Sequence, residues 1–251
     1  MPDVYVAIGS YKRAGRVTTL KIVPDADLWV PESQAAEYEE HYPGRVRPIP
    51  DERDGNVCRK RNAILDLAPS EWVLILDDDI RRICYWEGGR RHQFSPDHFM
   101  AFVRDSFEQA AAVGARLWGV NQNQDPMAYA TQRPFALLAP VLGPFAGHLM
   151  DHGLRYDEGM FLKEDYDHWL QHIERYRRTW RVNKVHYIHD HGTMPGGVVG
   201  MRTLAAEKAC AERMVRRWGA SVYRLGGTTG GRACKGNNPL NSLVRVPIPG
   251  M

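Results

Sequence analysis

The chain has 251 residues, 43% of them hydrophobic and 25% charged, with a net charge of +3. That is ordinary for a soluble globular protein, and long enough for one large α/β domain with a proper core or for two small ones. The mild basic excess permits a polyanionic partner without demanding one. The four cysteines (Cys58, Cys84, Cys210, Cys234) lie far apart and form no CxxC pair, so neither a disulfide framework nor a cysteine zinc site is expected. No apolar run approaches the ~20 residues of a membrane span. Met1-Pro2-Asp3 leads straight into a strand, leaving no room for a signal peptide, and the expectation is a soluble protein of the cytoplasm.

Val4 to Ile8 reads as a first buried strand, ending at Gly9-Ser10-Tyr11-Lys12-Arg13, a small-residue turn suited to a nucleotide or phosphate. Val17 to Val23 reads as a short helix, Ala26 to Val30 as a strand, Ser33 to Tyr42 as a polar helix and Val46 to Ile49 as a third strand. Val57 to Leu67 is a helix with Asn56 as its N-cap. It carries Arg59, Lys60, Arg61 and Asn62 in its first turns. Cations there oppose the helix dipole, which suggests an anion sharing the space; a solvated basic face is the alternative.

Trp72-Val73-Leu74-Ile75-Leu76 is a run of five apolar residues, expected to be buried on both faces, and it stops at Asp77-Asp78-Asp79. Crowded carboxylates repel unless a cation or donors hold them ionised, and hard Mg²⁺ or Mn²⁺ prefers such oxygen ligands. Strand alternation sends Asp77 and Asp79 to one side and Asp78 to the other. A solvated acidic turn is the plainer alternative.

Ile80 to Trp86 is a further strand, followed by a Gly-Gly basic loop and a helix from Pro96 to about Val113, with Phe99, Phe102, Val103 and Phe107 as core. Arg116 to Val120 is a strand leading into a polar loop. Phe135 to Leu142 and Phe145 to Met150 read as two strands joined by Gly143-Pro144. Phe161-Leu162-Lys163-Glu164-Asp165-Tyr166-Asp167 opens a helix reaching about Arg178, where Glu164, Asp165 and Asp167 are also simply good helix starts. Thr179 to Ile188 is a strand ending at His189-Asp190-His191, and Met201 to Trp218 a helix. His168 and His172 stand four apart on one helix face. That spacing suits zinc, but no HExxH pattern accompanies it, and a packing or surface role is the expectation. Beyond Gly219 the chain turns Gly-rich (Gly226-Gly227-Thr228-Thr229-Gly230-Gly231) with Arg232 and Lys235. Such a tail is either unstructured or a lid over an anionic ligand.

This order of strand and Gly-Ser turn, Arg61-Asn62 helix, strand into Asp77-Asp78-Asp79, Glu164-Asp165 and His189/His191 resembles the GT-A fold glycosyltransferases over roughly residues 3 to 195. The Leu154-Arg155-Tyr156-Asp157…Lys163-Glu164-Asp165-Tyr166-Asp167 stretch carries the more specific half of the likeness. The closer similarity is to the TET-associated glycosyltransferases of phages. The resemblance implies one Rossmann-like α/β domain over 1–218, with a mostly parallel central sheet flanked by helices, and a flexible tail over 219–251. It implies a hexosyltransferase using a nucleotide-diphosphate sugar (UDP-glucose is the expected donor) and Mn²⁺ or Mg²⁺, with hydroxymethylated pyrimidines in DNA as acceptor.

By the same resemblance Asp165, with Glu164 next, is the catalytic carboxylate. Gly9, Ser10, Lys12, Arg61, Asn62, Asp77, Asp78 and Lys235 bind the donor, and Asp77, Asp79 and His189 or His191 hold the metal. A DNA acceptor further calls for a basic groove around Arg90/Arg91 or Arg175/Arg178. A polysaccharide or small-molecule acceptor, a nucleotidyltransferase and a non-catalytic nucleic-acid-binding module remain as other readings.

Overall fold

The computed structural model describes residues 2–189, 203–225 and 242–246. Ten strands form one sheet: β1 (Val4–Gly9), β2 (Asp27–Pro31), β3 (Val46–Ile49), β4 (Trp72–Asp77), β5 (Ile80–Glu87), β6 (Arg90–Gln93), β7 (Leu117–Asn121), β8 (Phe135–Ala136), β9 (Phe145–Leu149) and β10 (Trp180–His189). The order is β3-β2-β1-β4-β9-β7-β10-β5-β6, with β8 on β10. The half built from β3, β2, β1 and β4 is parallel. β9 then inserts antiparallel between β4 and β7, and β10 runs parallel to β7. Gly9 pairs with Asp77, so β1 and β4 end at one level and open their loops on one edge, where an α/β sheet receives its ligands.

The apolar run of β4 alternates between two cores. Trp72, Leu74 and Leu76 pack with Phe99, Val103, Phe107 and Ala110 of α3 (Pro96–Ala112). Val73 and Ile75 pack with Ala63, Ile64 and Leu65 of α2 (Val57–Leu67). A strand covered by helices on both faces has no polar side, which is why its sequence is continuous rather than alternating. Gly147 on β9 is required by Trp118, because a Cβ there would lie 1.9 Å from the indole nitrogen. A third cluster joins α4 (Glu164–Tyr176) to α5 (Leu204–Trp218) through Trp169, Leu170, Ile173, Ala211 and Met214.

Several expected elements differ. The helix expected over 17–23 is one 3-10 turn, Thr19–Lys21, because Thr18 and Thr19 spend their amides and hydroxyls on the acidic turn after β4. The Gly-Gly loop is a hairpin turn with both glycines at positive φ, which pairs β5 with the unforeseen β6. Residues 137–142 are not a strand, and β8 is only two residues long. Within the expected tail, β11 (Tyr223–Leu225) and β12 (Ser242–Val244) form a two-stranded antiparallel sheet, with Tyr223 packed among the α4 and α5 side chains. α1 (Ala35–His41) completes the helices. No helix of the described residues is long and apolar enough to cross a membrane.

Candidate active site

β4 delivers Asp77, Asp78 and Asp79 to the edge of the sheet, and the turn they form is held by its backbone. Thr19 Oγ1 donates to Asp77 O at 2.6 Å and accepts from Ile80 N at 3.0 Å. Thr18 N donates to Asp78 O at 2.9 Å, and Asp77 N to Pro144 O at 3.1 Å. With the backbone fixed, the three carboxylates diverge.

Asp77 faces α2 and α4. Arg61 Nη2 donates to Asp77 Oδ1 at 3.1 Å and Arg61 Nη1 to Glu164 Oε1 at 2.9 Å, while the guanidinium lies 5.5 Å from the centre of the Tyr156 ring. Burial works against the Arg61 charge, but Asp77 and Glu164 more than restore it and its pKa is raised. Gly143 exists for this fork: a Cβ there would lie 2.7 Å from both terminal guanidinium nitrogens.

Asp78 turns inward, 4% exposed. Ser10 Oγ donates to its Oδ2 at 2.5 Å and Arg13 Nη1 bonds its Oδ1. Burial pushes this carboxyl up to about 6 against the pull of Arg13, so at neutral pH it is an ionised partner of a buried arginine.

Asp79 sits between Arg13 and the end of β10. Arg13 Nη1 lies 3.4 Å from Oδ2, and Oδ1 is buried, facing His189 Nδ1 at 3.8 Å, too far for a hydrogen bond. A register shift between Ile188 and His189, beside Ile80, aims this histidine at Asp79. Burial would raise the Asp79 carboxyl, but His189 and Arg13 override it and hold the pKa below its ordinary value. A carboxylate oxygen with no donor among the described residues, beside an imidazole nitrogen, is a donor set that fits Mn²⁺ or Mg²⁺.

α4 starts beside Arg61. Its first acids, Glu164 and Asp165, are both raised: burial leads, and for Glu164 the Asp165 charge adds to it, carrying Glu164 to about 7. Asp165 Oδ1 accepts from Tyr166 N at 2.8 Å. The buried hydroxyl of Tyr187 has no hydrogen-bond partner among the described residues, and the Asp77 and Asp165 charges add to burial in raising its pKa.

The structure thus brings Arg61, Asp77, Asp79, Glu164, Asp165 and His189 to one edge. Other residues expected to bind the donor are placed differently. Asn62 spends its amide on the backbone of Tyr156, with Nδ2 on the carbonyl at 3.0 Å and Oδ1 on the N–H at 2.8 Å, so it braces a loop. The basic start of α2 is only partly a solvated face: Lys60 is buried and pairs with Asp54 at 2.5 Å, whereas Arg59 is exposed and pairs with Glu158 at 3.1 Å. Gly9 gives way to the Lys60 side chain, 3.1 Å from where a Cβ would be. Lys12 is exposed, at a positive φ of 56°. His191 and Lys235 lie outside the described residues. Arg13, Thr18, Thr19, Gly143 and Tyr187 were not foreseen. Only Arg13 left a signal, since a buried Asp78 needs a cation and Arg13 stands in the loop beside it.

The fold matches solved glycosyltransferases. A mannosyltransferase from Pyrobaculum calidifontis, in complex with GDP-Man and Mn²⁺, superposes with a TM-score of 0.56 at 15% identity, over 88% of this chain and 64% of that one. Glucosyl-3-phosphoglycerate synthase from Mycobacterium tuberculosis, in complex with Mn²⁺, UDP and glucosyl-3-phosphoglycerate, gives 0.50 at 12% identity, over 85% of this chain and 79% of that one. No curated protein matches the sequence. The family model described as TET-Associated Glycosyltransferase matches residues 5–197. The chain belongs to that family, and is a glycosyltransferase of GT-A fold.

Proposed function

We propose that this enzyme moves a sugar from a nucleotide-diphosphate sugar, UDP-glucose by preference, to the hydroxyl of a 5-hydroxymethylpyrimidine in DNA. The observation that carries the reading is Asp79, with one buried carboxylate oxygen lacking a donor among the described residues and His189 Nδ1 3.8 Å from it, beside the Arg61 bridge from Asp77 to Glu164. The two solved relatives hold Mn²⁺ with UDP or GDP-Man, which supports the same class of donor and metal here. The family name supports the acceptor. The exposed arginines Arg81, Arg82, Arg90 and Arg91 of the β5–β6 hairpin suit a polyanion.

Asp79 and His189, with Asp77, would hold Mn²⁺ or Mg²⁺, which supplies Lewis-acid stabilisation of the diphosphate leaving group. Arg61 adds a fixed positive charge at the same edge. The acceptor oxygen bonds to the anomeric carbon as the bond from that carbon to the β-phosphate oxygen breaks. The electron pair leaves on the nucleoside diphosphate, and the acceptor proton passes to the Asp165 carboxylate. Asp165 suits this role better than Glu164, which is committed to Arg61.

The test is incubation with a panel of nucleotide sugars, with and without Mn²⁺, on DNA containing hydroxymethylcytosine or hydroxymethyluracil. A mass gain of one hexose on the DNA, with release of nucleoside diphosphate, is expected. Release of pyrophosphate would indicate a nucleotidyltransferase, and transfer only to carbohydrate or small-molecule hydroxyls would overturn the DNA acceptor.

A further inference from the structure

Four histidines from three elements meet in the core: His148 on β9, His152 in the 3-10 turn Met150–His152, and His168 and His172 one turn apart on α4. Their exposures are 0, 0, 1 and 0%. One ligand nitrogen from each ring lies within 4.8 Å of the other three, and His168 Nε2 is 3.3 Å from His172 Nε2. Among the described residues His148 Nδ1 and His152 Nε2 are buried with no hydrogen-bond partner, and His168 Nε2 and His172 Nε2 face only each other. Packing alone is a poor reason for such a group. An apolar side chain would fill the space without stranding polar atoms, which native cores rarely do. Burial, followed by the charges of neighbouring rings and arginines, keeps all four pKa values low, so each ring is neutral and retains a lone pair.

We propose that His148, His152, His168 and His172 bind one divalent transition-metal ion of the Zn²⁺ class as a closed structural site. Imidazole suits such ions, and four protein ligands leave no open position. Tetrahedral Zn–N bonds of about 2.0–2.1 Å place ligand nitrogens ~3.3 Å apart, the spacing of the His168–His172 pair, and the other rings close in on the ion. Leu154 N donates to His152 Nδ1 at 2.8 Å, so without metal that ring carries its proton on Nε2. On loading, the proton moves to Nδ1 and the Leu154 contact is released.

The ion would clip β9 and the following turn to α4, the helix that presents Glu164 and Asp165. The Tyr156 ring stacks on His168 with centroids 4.0 Å apart, and Arg61 lies against the other partner of that stack, 5.5 Å from the Tyr156 centroid. The site therefore underpins the Arg61 fork without using Asp79 or His189.

The experiment is zinc titration of tag-free full-length protein, desalting and elemental analysis, run on wild type, Asp79→Ala and His168→Gln/His172→Gln. About one zinc per chain is expected in wild type and in Asp79→Ala, with X-ray absorption giving a nitrogen-rich shell, and loss in the double histidine variant. Absence of retained zinc in wild type, or equal zinc in the double variant, overturns the proposal. If the double variant does not fold, the Asp79→Ala protein decides. Chelator should lower its melting temperature and Zn²⁺ restore it; a melting temperature indifferent to both also overturns the site. Loss of Mn²⁺-dependent transfer in Asp79→Ala bears only on the donor reading, so the two can fail separately.

Discussion

Arg61 Nη1 and Glu164 Oε1 stand 2.9 Å apart, an ion pair with side chains 5% and 13% exposed that ties α2 to the start of α4 across the tip of β4. Since the same guanidinium reaches Asp77, one side chain fixes the spacing between the acidic strand end and the carboxylates proposed to meet the acceptor. Arg61→Ala would leave two carboxylates without their buried countercharge. A loss of about 3–5 kcal/mol of stability is expected, read as a lower denaturation midpoint, together with loss of transfer. Arg61→Lys keeps the charge but not the two-pronged geometry, and should fold while transferring at least tenfold more slowly.

Gly143→Ala tests the fork without touching a charge. The new methyl would lie 2.7 Å from the guanidinium nitrogens, so Arg61 must shift. A displacement of this size at a reacting centre costs up to ~100-fold in rate. Steady-state kinetics should show the fall mainly in kcat, with a melting temperature lowered less than that of Arg61→Ala.

Ser10→Ala and Arg13→Ala examine the inward-facing Asp78. Removing the serine deletes one hydrogen bond to a buried carboxylate, about 1.5–3 kcal/mol. Removing the arginine strands Asp78 and frees Asp79 from its cation, at a larger cost of about 3–5 kcal/mol. Chemical denaturation should rank the two in that order.

The acid pair at the start of α4 sets a pH dependence. Glu164 is raised to about 7 and burial raises Asp165 as well, so acid conditions protonate the carboxylate proposed to take the acceptor proton. Transfer should rise with pH as Asp165 ionises, at a pH above the ordinary carboxylate range, and then level off in a kcat/KM profile. Stability carries the opposite sign. A carboxyl with a raised folded-state pKa contributes most at low pH, and that contribution is lost as pH rises through about 7. Asp165→Asn should lower transfer ~100- to 10,000-fold while nucleotide binding survives.

Much of this was legible in the sequence, and the reasons are local. The apolar run of β4 announces a strand covered on both faces, and Asn56 announces the start of α2, where its side chain accepts from Arg59 N at 3.0 Å. What was not legible depends on partners distant in the chain. Arg13 meets Asp78 across 65 positions, and Thr19 meets Asp77 across 58, which replaces the expected helix with a single turn. The basic start of α2 gave no sign that Lys60 and Arg61 would each pair with a carboxylate of their own chain. His168 and His172 were visible as a helix-face pair, but His148 and His152 join them only because β9 lies antiparallel beside β4.

The most direct measurement is the anomalous diffraction of manganese in a crystal soaked with Mn²⁺ and a nucleotide-diphosphate sugar. The ion is expected within bonding distance of Asp79 and His189, with the diphosphate against it at the end of β4. An ion and a nucleotide bound away from Asp77 and Asp79 would contradict the proposed chemistry outright.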